Sequence, residues 1–186
     1  MTVEEIFGDL SKHMIEGLMA HSQLSDYFGF LGLEGYQTAH KYHYFEENKN
    51  YKKLCDYFLK HYDKIVAEKP FSNPNIIPNS WYQYTRYDVN NQTRKTAIQT
   101  GFEKWVEWEQ ETKNLYEKHY QDLIDLNEIA AAKELEYYII EVDEELAEAN
   151  QKYLTLTAND FDISDIITEQ EYLFNKYSDK LKEIKL

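Results

Sequence analysis

The chain has 186 residues, with 34 acidic and 20 basic side chains and a formal net charge of −14. An acid excess of that size argues against direct contact with nucleic acid, because a phosphate-backbone binder needs a basic face to displace counterions. The length fits one domain with a real core, and 6 glycines with 3 prolines leave an all-β fold without residues for its turns.

The single cysteine, Cys55, excludes an internal disulfide and a thiolate zinc cluster, and it fits a reducing compartment. The N-terminal stretch MTVEEIFGDLSKH lacks the basic patch and apolar run of a signal peptide, and no segment approaches the ~20 apolar residues of a membrane span. A cytoplasmic protein that does not enter a membrane is expected.

In chain order, a first helix is predicted over about residues 2–30, and Gly29, Gly32 and Gly35 separate it from a second over about 36–67. Pro70, Pro74 and Pro78, with Asn73, Asn75, Asn79, Asn90 and Asn91, mark an irregular crossover over 69–96. A third helix over about 97–125 and a fourth over about 128–154 meet at the weak break LNEIAAA. The run Thr157 to Asp160 leads into a shorter fifth helix over about 162–184. Two helical hairpins joined by one long connection predict an all-α four-helix bundle with one long crossover, a short C-terminal fifth helix and a single domain over 1–186.

Helical periodicity sorts the side chains onto faces. The second helix buries Tyr36, His40, His43, Glu47, Tyr51, Leu54, Phe58, His61 and Ile65, so His40, His43 and Glu47 lie mid-stripe. The third buries Phe102, Trp105, Val106, Tyr116, Tyr120, Leu123 and Ile124 around Glu109. In the first, Ile6, Leu10, His13, Leu18, His21, Leu24 and Phe28 form the stripe and Glu16 flanks it; in the fourth, Leu135, Tyr138, Ile139, Val142 and Leu146 do, with Asp143 and Glu145 at the edges. A carboxylate in a core must be paired, protonated or coordinated.

Depth gives a second criterion. Glu16 and Glu47 are each ~24 Å from a turn near Leu31–Gly32, and Glu109 and Glu145 are each ~27 Å from one near Leu126–Asn127, at about 1.5 Å per residue. His43 matches His21 about one turn nearer the end. Glu16, His43, Glu47, Glu109 and Glu145 are therefore the predicted ligands for one or two divalent ions, iron or manganese, with His43 and Glu47 on one face at i, i+4. The competing reading is a hydrogen-bonded polar network without metal, with Glu109 paired to Lys113 and with His13 and His21 as satisfied core histidines. The acids Glu134, Glu136, Glu141, Glu144 and Glu148 read as a solvated strip. A Gly-rich phosphate loop, CxxC, HExxH and GxSxG are all missing, so no nucleophile chemistry is indicated.

The segment DYFGFLGLEGY with Glu46-Glu47, the segment WVEWEQ with Glu109, and the segment EVDEELAE with Glu145 and Glu148 resemble the ferritin-like family over about 14–66 and 101–153. The resemblance implies a ferritin-like four-helix bundle, iron binding, oxidation of iron by O₂ or peroxide, and a possible homo-oligomer. Two positions depart from the family pattern. Its second-helix Glu-x-x-His reads Glu47-Asn48-Lys49-Asn50 here, and its first-helix glutamate falls on Met14, two positions from Glu16. The alternative from a different class is a non-enzymatic acidic interaction protein, an inhibitor or DNA mimic that docks on a basic protein partner. The abundance of Tyr, Lys, Asn and Asp resembles proteins of low-GC Gram-positive bacteria and their phages. Neither terminus carries the basic arm of a DNA-protecting mini-ferritin.

Overall fold

The computed structural model describes residues 1–67, 69–78, 81, 84, 85, 88 and 90–184, apart from the side chains at 163, 165 and 168. Asn79, one of the turn formers in the crossover, lies outside the described residues. The helices are α1 Val3–Phe30, α2 Glu34–Tyr62, α3 Asn91–Asp125, α4 Ile129–Ala158 and α5 Ile163–Glu183. Among the described residues there is no strand, and no helix is long and apolar enough to cross a membrane.

Local chemistry sets where each helix begins and ends. Thr2 starts α1 with a capping box: its hydroxyl accepts from the Glu5 amide at 3.2 Å, and the Glu5 carboxylate accepts from the Thr2 amide at 2.8 Å, an arrangement worth about 1 kcal/mol. Asn90 caps α3 by accepting from the Thr93 amide at 2.9 Å, so α3 begins at Asn91, ahead of the expected start near 97. Asp162 caps α5 through the Ser164 amide at 2.9 Å.

The hairpin turns share one device. At the end of α1, Gly32 takes φ 75°, its amide bonds the Gly29 carbonyl at 3.1 Å and the Leu33 amide bonds the Phe28 carbonyl at 2.8 Å. Asn127, with φ 61°, repeats the pattern after α3, where its own amide bonds the Ile124 carbonyl and the Glu128 amide bonds Leu123. A residue in the left-handed region closes each helix and returns the chain antiparallel. Asp63 ends α2 with φ 52°, five residues before the expected end. Ile65 is consequently outside the helix and 87% exposed, and His61 also faces solvent, so neither joins the core stripe.

α1 packs on α2, α3 on α4, and α1 on α3, while α5 lies along α2. The described part of the connection between α2 and α3 is tied to α1 by polar contacts and sends Ile76 and Ile77 into the apolar core. Lys69 bonds Asp9 at 2.7 Å, Ser72 bonds Glu16 at 2.8 Å through its amide, and the Ile76 amide bonds Gln23 at 2.9 Å.

The apolar core is divided in two. One cluster includes Leu24, Phe28, Tyr36, Phe102, Trp105 and Ala149; the other includes Met14, Leu54, Phe58, Tyr116, Leu135 and Val142. Between them each long helix contributes a polar or small stretch: Gly17 and His21 from α1, His43 to Glu47 from α2, Glu109 and Thr112 from α3, and Glu145 from α4.

α5 approaches α2 at backbone distance beside Gly35, where a Cβ would lie 2.5 Å from the Gln170 carbonyl oxygen. The Tyr36 hydroxyl donates to Glu169 at 2.6 Å on the same face. The substitution Gly35→Ala is expected to loosen α5 while leaving the other four helices folded, read as faster amide exchange confined to residues 163–183.

Candidate metal centre

The layer between the two apolar clusters is built from α1, α2, α3 and α4. His21, His40, His43 and Glu109 are 0%, 0%, 5% and 1% exposed, so none can be regarded as a surface polar group. His21 Nε2 lies 3.7 Å from Glu109 Oε1, and His43 Nδ1 pairs with Glu145 Oε1 at 2.8 Å. Two trios of donors converge with their ligand atoms within 4.8 Å of one another: His21, Glu109 and Glu145, and His43, Glu46 and Glu145. Glu145 belongs to both, which is the position a carboxylate bridging two ions would take.

Of the five residues selected from the sequence, four gather in or beside this layer. His43, Glu109 and Glu145 enter the trios. Glu47 stands beside them across from Gly17, where a Cβ would lie 3.2 Å from the Glu47 Cδ and 3.3 Å from its Oε1; the glycine makes room for the carboxylate. Glu16 does not join. Its Oε1 accepts from the Ser72 amide at 2.8 Å and hydroxyl at 3.0 Å and lies 3.7 Å from Lys12. Glu16 also lines a separate cavity of about 290 Å³ with His13, Trp108 and Glu111. The crossover that runs along α1 draws Glu16 outward.

Two residues of the trios were not selected. His21 had been read as a satisfied core histidine, although its depth match to His43 already pointed to the layer. Glu46 lies about 100° from Glu47 around α2, off the apolar stripe, and its long side chain reaches back to the layer. The expected pairing of Glu109 with Lys113 does not occur: Lys113 pairs with Asp143, and Glu109 accepts from Trp105 Nε1 at 3.1 Å. His13 is satisfied, within 2.8 Å of the Thr112 hydroxyl.

A cavity of about 260 Å³ reaches the layer beside His43, Glu46, Glu47, Tyr116, Tyr138 and Glu145. Lys176 and Lys180 of α5 stand on its rim. Several polar atoms of the layer are shielded from solvent and have no hydrogen-bond partner, namely Nε2 of His21, of His40 and of His43, and Oε2 of Glu47. Buried polar atoms without partners are uncommon, and each one calls for a specific cause.

The electrostatics describe a site with too much negative charge for its own cations. Burial, followed by the charges of Glu145 and Glu141, raises the Glu47 carboxyl well above its usual range. Burial, then Glu145 and Glu47, does the same to Glu109. Burial opposes the charged form of Glu145 too, but the His43, His21 and Lys180 charges outweigh it and the pKa falls. Burial works against the His43 imidazolium and is overcome by Glu145, so its pKa rises. His21 is lowered to about 3 by burial and then by His43, and is a neutral imidazole with a lone pair to offer.

A stability prediction follows from the sign of the Glu109 shift. A carboxyl whose folded pKa is raised contributes stability at low pH that is lost as pH rises from about 4.3, its unfolded value, through the folded pKa. The variant Glu109→Gln removes this penalty while keeping the shape. In metal-free protein at pH 8 it is expected to melt higher than wild type by roughly 2–6 °C, equivalent to about 1–2 kcal/mol. The difference is expected to vanish near pH 4; a variant less stable than wild type at pH 8 would contradict it.

No protein-family model matches the chain, and no curated protein matches it. Solved structures do. A humanized archaeal ferritin superposes with TM-score 0.74 at 17% identity, covering 92% of this chain and 94% of that one. The open-pore ferritin of the hyperthermophilic archaeon Archaeoglobus fulgidus gives TM-score 0.73 at 18% identity over 92% of this chain and 94% of its own. A PmFTN variant soaked in iron gives 0.70 at 12% identity, with 91% and 96% covered. The chain therefore has the ferritin four-helix-bundle fold.

Proposed function

We propose that the protein binds divalent metal, iron before manganese, in the layer between its two apolar clusters, and that Glu46, Glu47, Glu109, Glu145, His21 and His43 are the donors. The observation that carries this reading is the set of buried donor atoms with no hydrogen-bond partner, grouped around a shared carboxylate and reached by a polar cavity. A hydrogen-bonded network without metal would leave these atoms satisfied. Here burial, followed by the Glu145 charge, raises the pKa of Glu47 and of Glu109, and no lysine or arginine pairs with either among the described residues.

The donor set fits the cation. Carboxylate oxygens with imidazole nitrogens suit iron, manganese and zinc, and thiolate-preferring ions find no sulfur ligand here. Gly17 leaves the space that the Glu47 carboxylate occupies beside the layer. Tyr116 and Tyr138 close the layer on the side of the second apolar cluster. Archaeal ferritins and an iron-soaked PmFTN variant share the fold, which supports iron as the first ion to test.

If the site is active, the bound ions supply one-electron chemistry, each Fe²⁺ giving up one electron to O₂ or peroxide. The chain's part is to hold them. Glu145 spans two positions, Glu109 is oriented by the Trp105 N–H at 3.1 Å, and His43 shares its Nδ1 with Glu145. Lys180 sits 4.6 Å from the Tyr42 ring centre at the rim, where its charge tempers the acids without entering the trios.

Metal-free protein titrated anaerobically with Fe²⁺, and separately with Mn²⁺ and Zn²⁺, is expected to bind about two ions per chain, with a rise of several degrees in melting temperature at saturation. Glu145→Gln is expected to abolish tight binding of both ions, because that carboxylate serves both positions. Glu16→Gln is expected to leave binding unchanged. Wild-type protein that takes up none of the three ions, by calorimetry and by elemental analysis, would refute the proposal.

A further inference from the structure

His40 is the least explained polar residue in the molecule. It has no exposed surface and joins neither trio of converging donors. Its ring lies against Phe28 with centroids 5.2 Å apart and planes 11° from parallel, and it meets the Trp105 ring at 78° and 4.7 Å. Packing on two faces leaves it little freedom to turn. Its one hydrogen bond is to His21, Nδ1 to Nδ1 at 3.2 Å across the first hairpin, and its Nε2 has no partner.

Two facing Nδ1 atoms at this distance fix a relation between the rings. A hydrogen bond between two ring nitrogens needs one N–H and one lone pair, so at 3.2 Å one Nδ1 must carry the proton and the other must accept it. If His40 donates, His21 carries its own proton on Nε2, which then faces Glu109 and Glu145 with no lone pair. If His21 donates, its Nε2 lone pair is bare and points at the acids, and His40 carries its proton on Nε2. Only the second arrangement makes His21 a ligand. A ligating imidazole is usually held in this way, by an acceptor on its other nitrogen.

We infer that His40 is the positioning residue for this site: it accepts the His21 Nδ1 proton and fixes the ring so that His21 Nε2 serves the position shared with Glu109 and Glu145. The inference rests on the reading of the layer as a divalent-metal site. It also accounts for a histidine where packing alone would favour an apolar ring, because Phe28, Phe102 and Trp105 surround the same spot. Trp105 supports both halves of the position, packing on His40 and donating to Glu109 at 3.1 Å.

The test uses Zn²⁺, which is diamagnetic, with calorimetry and long-range proton–nitrogen correlation spectra of the imidazoles. In zinc-loaded wild-type protein, His21 is expected to be protonated at Nδ1 and metallated at Nε2, and His40 protonated at Nε2. His40→Phe is expected to weaken zinc binding at the His21 position by about 10–100-fold, with a melting temperature in the metal-free state at or above that of wild type. His40→Asn places an amide oxygen near the former Nδ1 and is expected to recover most of the affinity. Unchanged zinc affinity in a folded His40→Phe variant overturns the inference and leaves the metal site standing. So does a zinc-loaded wild type in which His21 keeps its proton on Nε2. A wild-type protein that binds no zinc, iron or manganese overturns the metal reading itself and His40's role with it. If His40→Phe fails to fold, the wild-type tautomers and the His40→Asn affinity decide the matter alone.

Discussion

A buried layer of like charge, crossing the bundle where the apolar core is interrupted, sets the terms for the rest of this structure. Glu47, Glu109 and Glu145 lie in one layer, where burial, followed by the Glu145 charge, raises the carboxyl pKa of Glu47 and of Glu109. Removing a carboxylate from water costs several kcal/mol unless a partner compensates. His43 compensates one of them, at 2.8 Å from Glu145. The two apolar clusters above and below must therefore hold a layer between them that, without a cation, favours opening. That explains why the bundle is dense in large aromatics on both sides: Phe28, Tyr36, Phe102 and Trp105 pack above, and Phe7, Phe58, Tyr116 and Tyr138 below.

The scaffold answers this demand at its ends and along its length. Left-handed residues at Gly32 and Asn127 close the two hairpins tightly, which keeps residues at equal distance from a turn at equal height. The described part of the crossover is tied to α1 by successive polar contacts at Asp9, Glu16 and Gln23, and Ile76 and Ile77 anchor it in the first apolar cluster. α5 covers the open side of the acidic cavity and brings Lys176 and Lys180 to its rim. Those amines remain partly in water, where their attraction for the acids is screened. They temper the negative charge and leave the inner donors uncompensated.

Much of this was legible from periodicity and depth, and the exceptions have definite causes. Glycine and proline are scarce enough that each cluster of them marks a real boundary, and the hairpin turns appear at Leu31–Gly32 and Leu126–Asn127. Counting residues from those turns placed His43, Glu47, Glu109 and Glu145 near one level because α-helical rise is nearly constant. The same count failed for Glu16, whose direction is decided by a contact with Ser72, 56 residues away in the chain. Helical phase carries no information about such a contact. For His21 the depth count pointed to the layer, but a histidine on an apolar stripe has the same periodicity whether its second nitrogen is bonded or bare. Glu46 shows the limit of angular resolution, since adjacent residues differ by 100° and a long side chain can reach across that angle.

Stability alone would replace such residues. Apolar or neutral groups of similar volume in place of buried charges commonly leave a protein as stable or more so. Residues that oppose folding yet share one level, one cavity and one pair of convergent donor sets are better understood as a binding surface turned inward. The acid excess of the chain divides along this line. Most of its acids are ordinary surface charge, such as Glu117, Asp125 and Glu136. The few that converge beside α5 are held together by the long helices, and their concentration in one layer is what the surface acids lack.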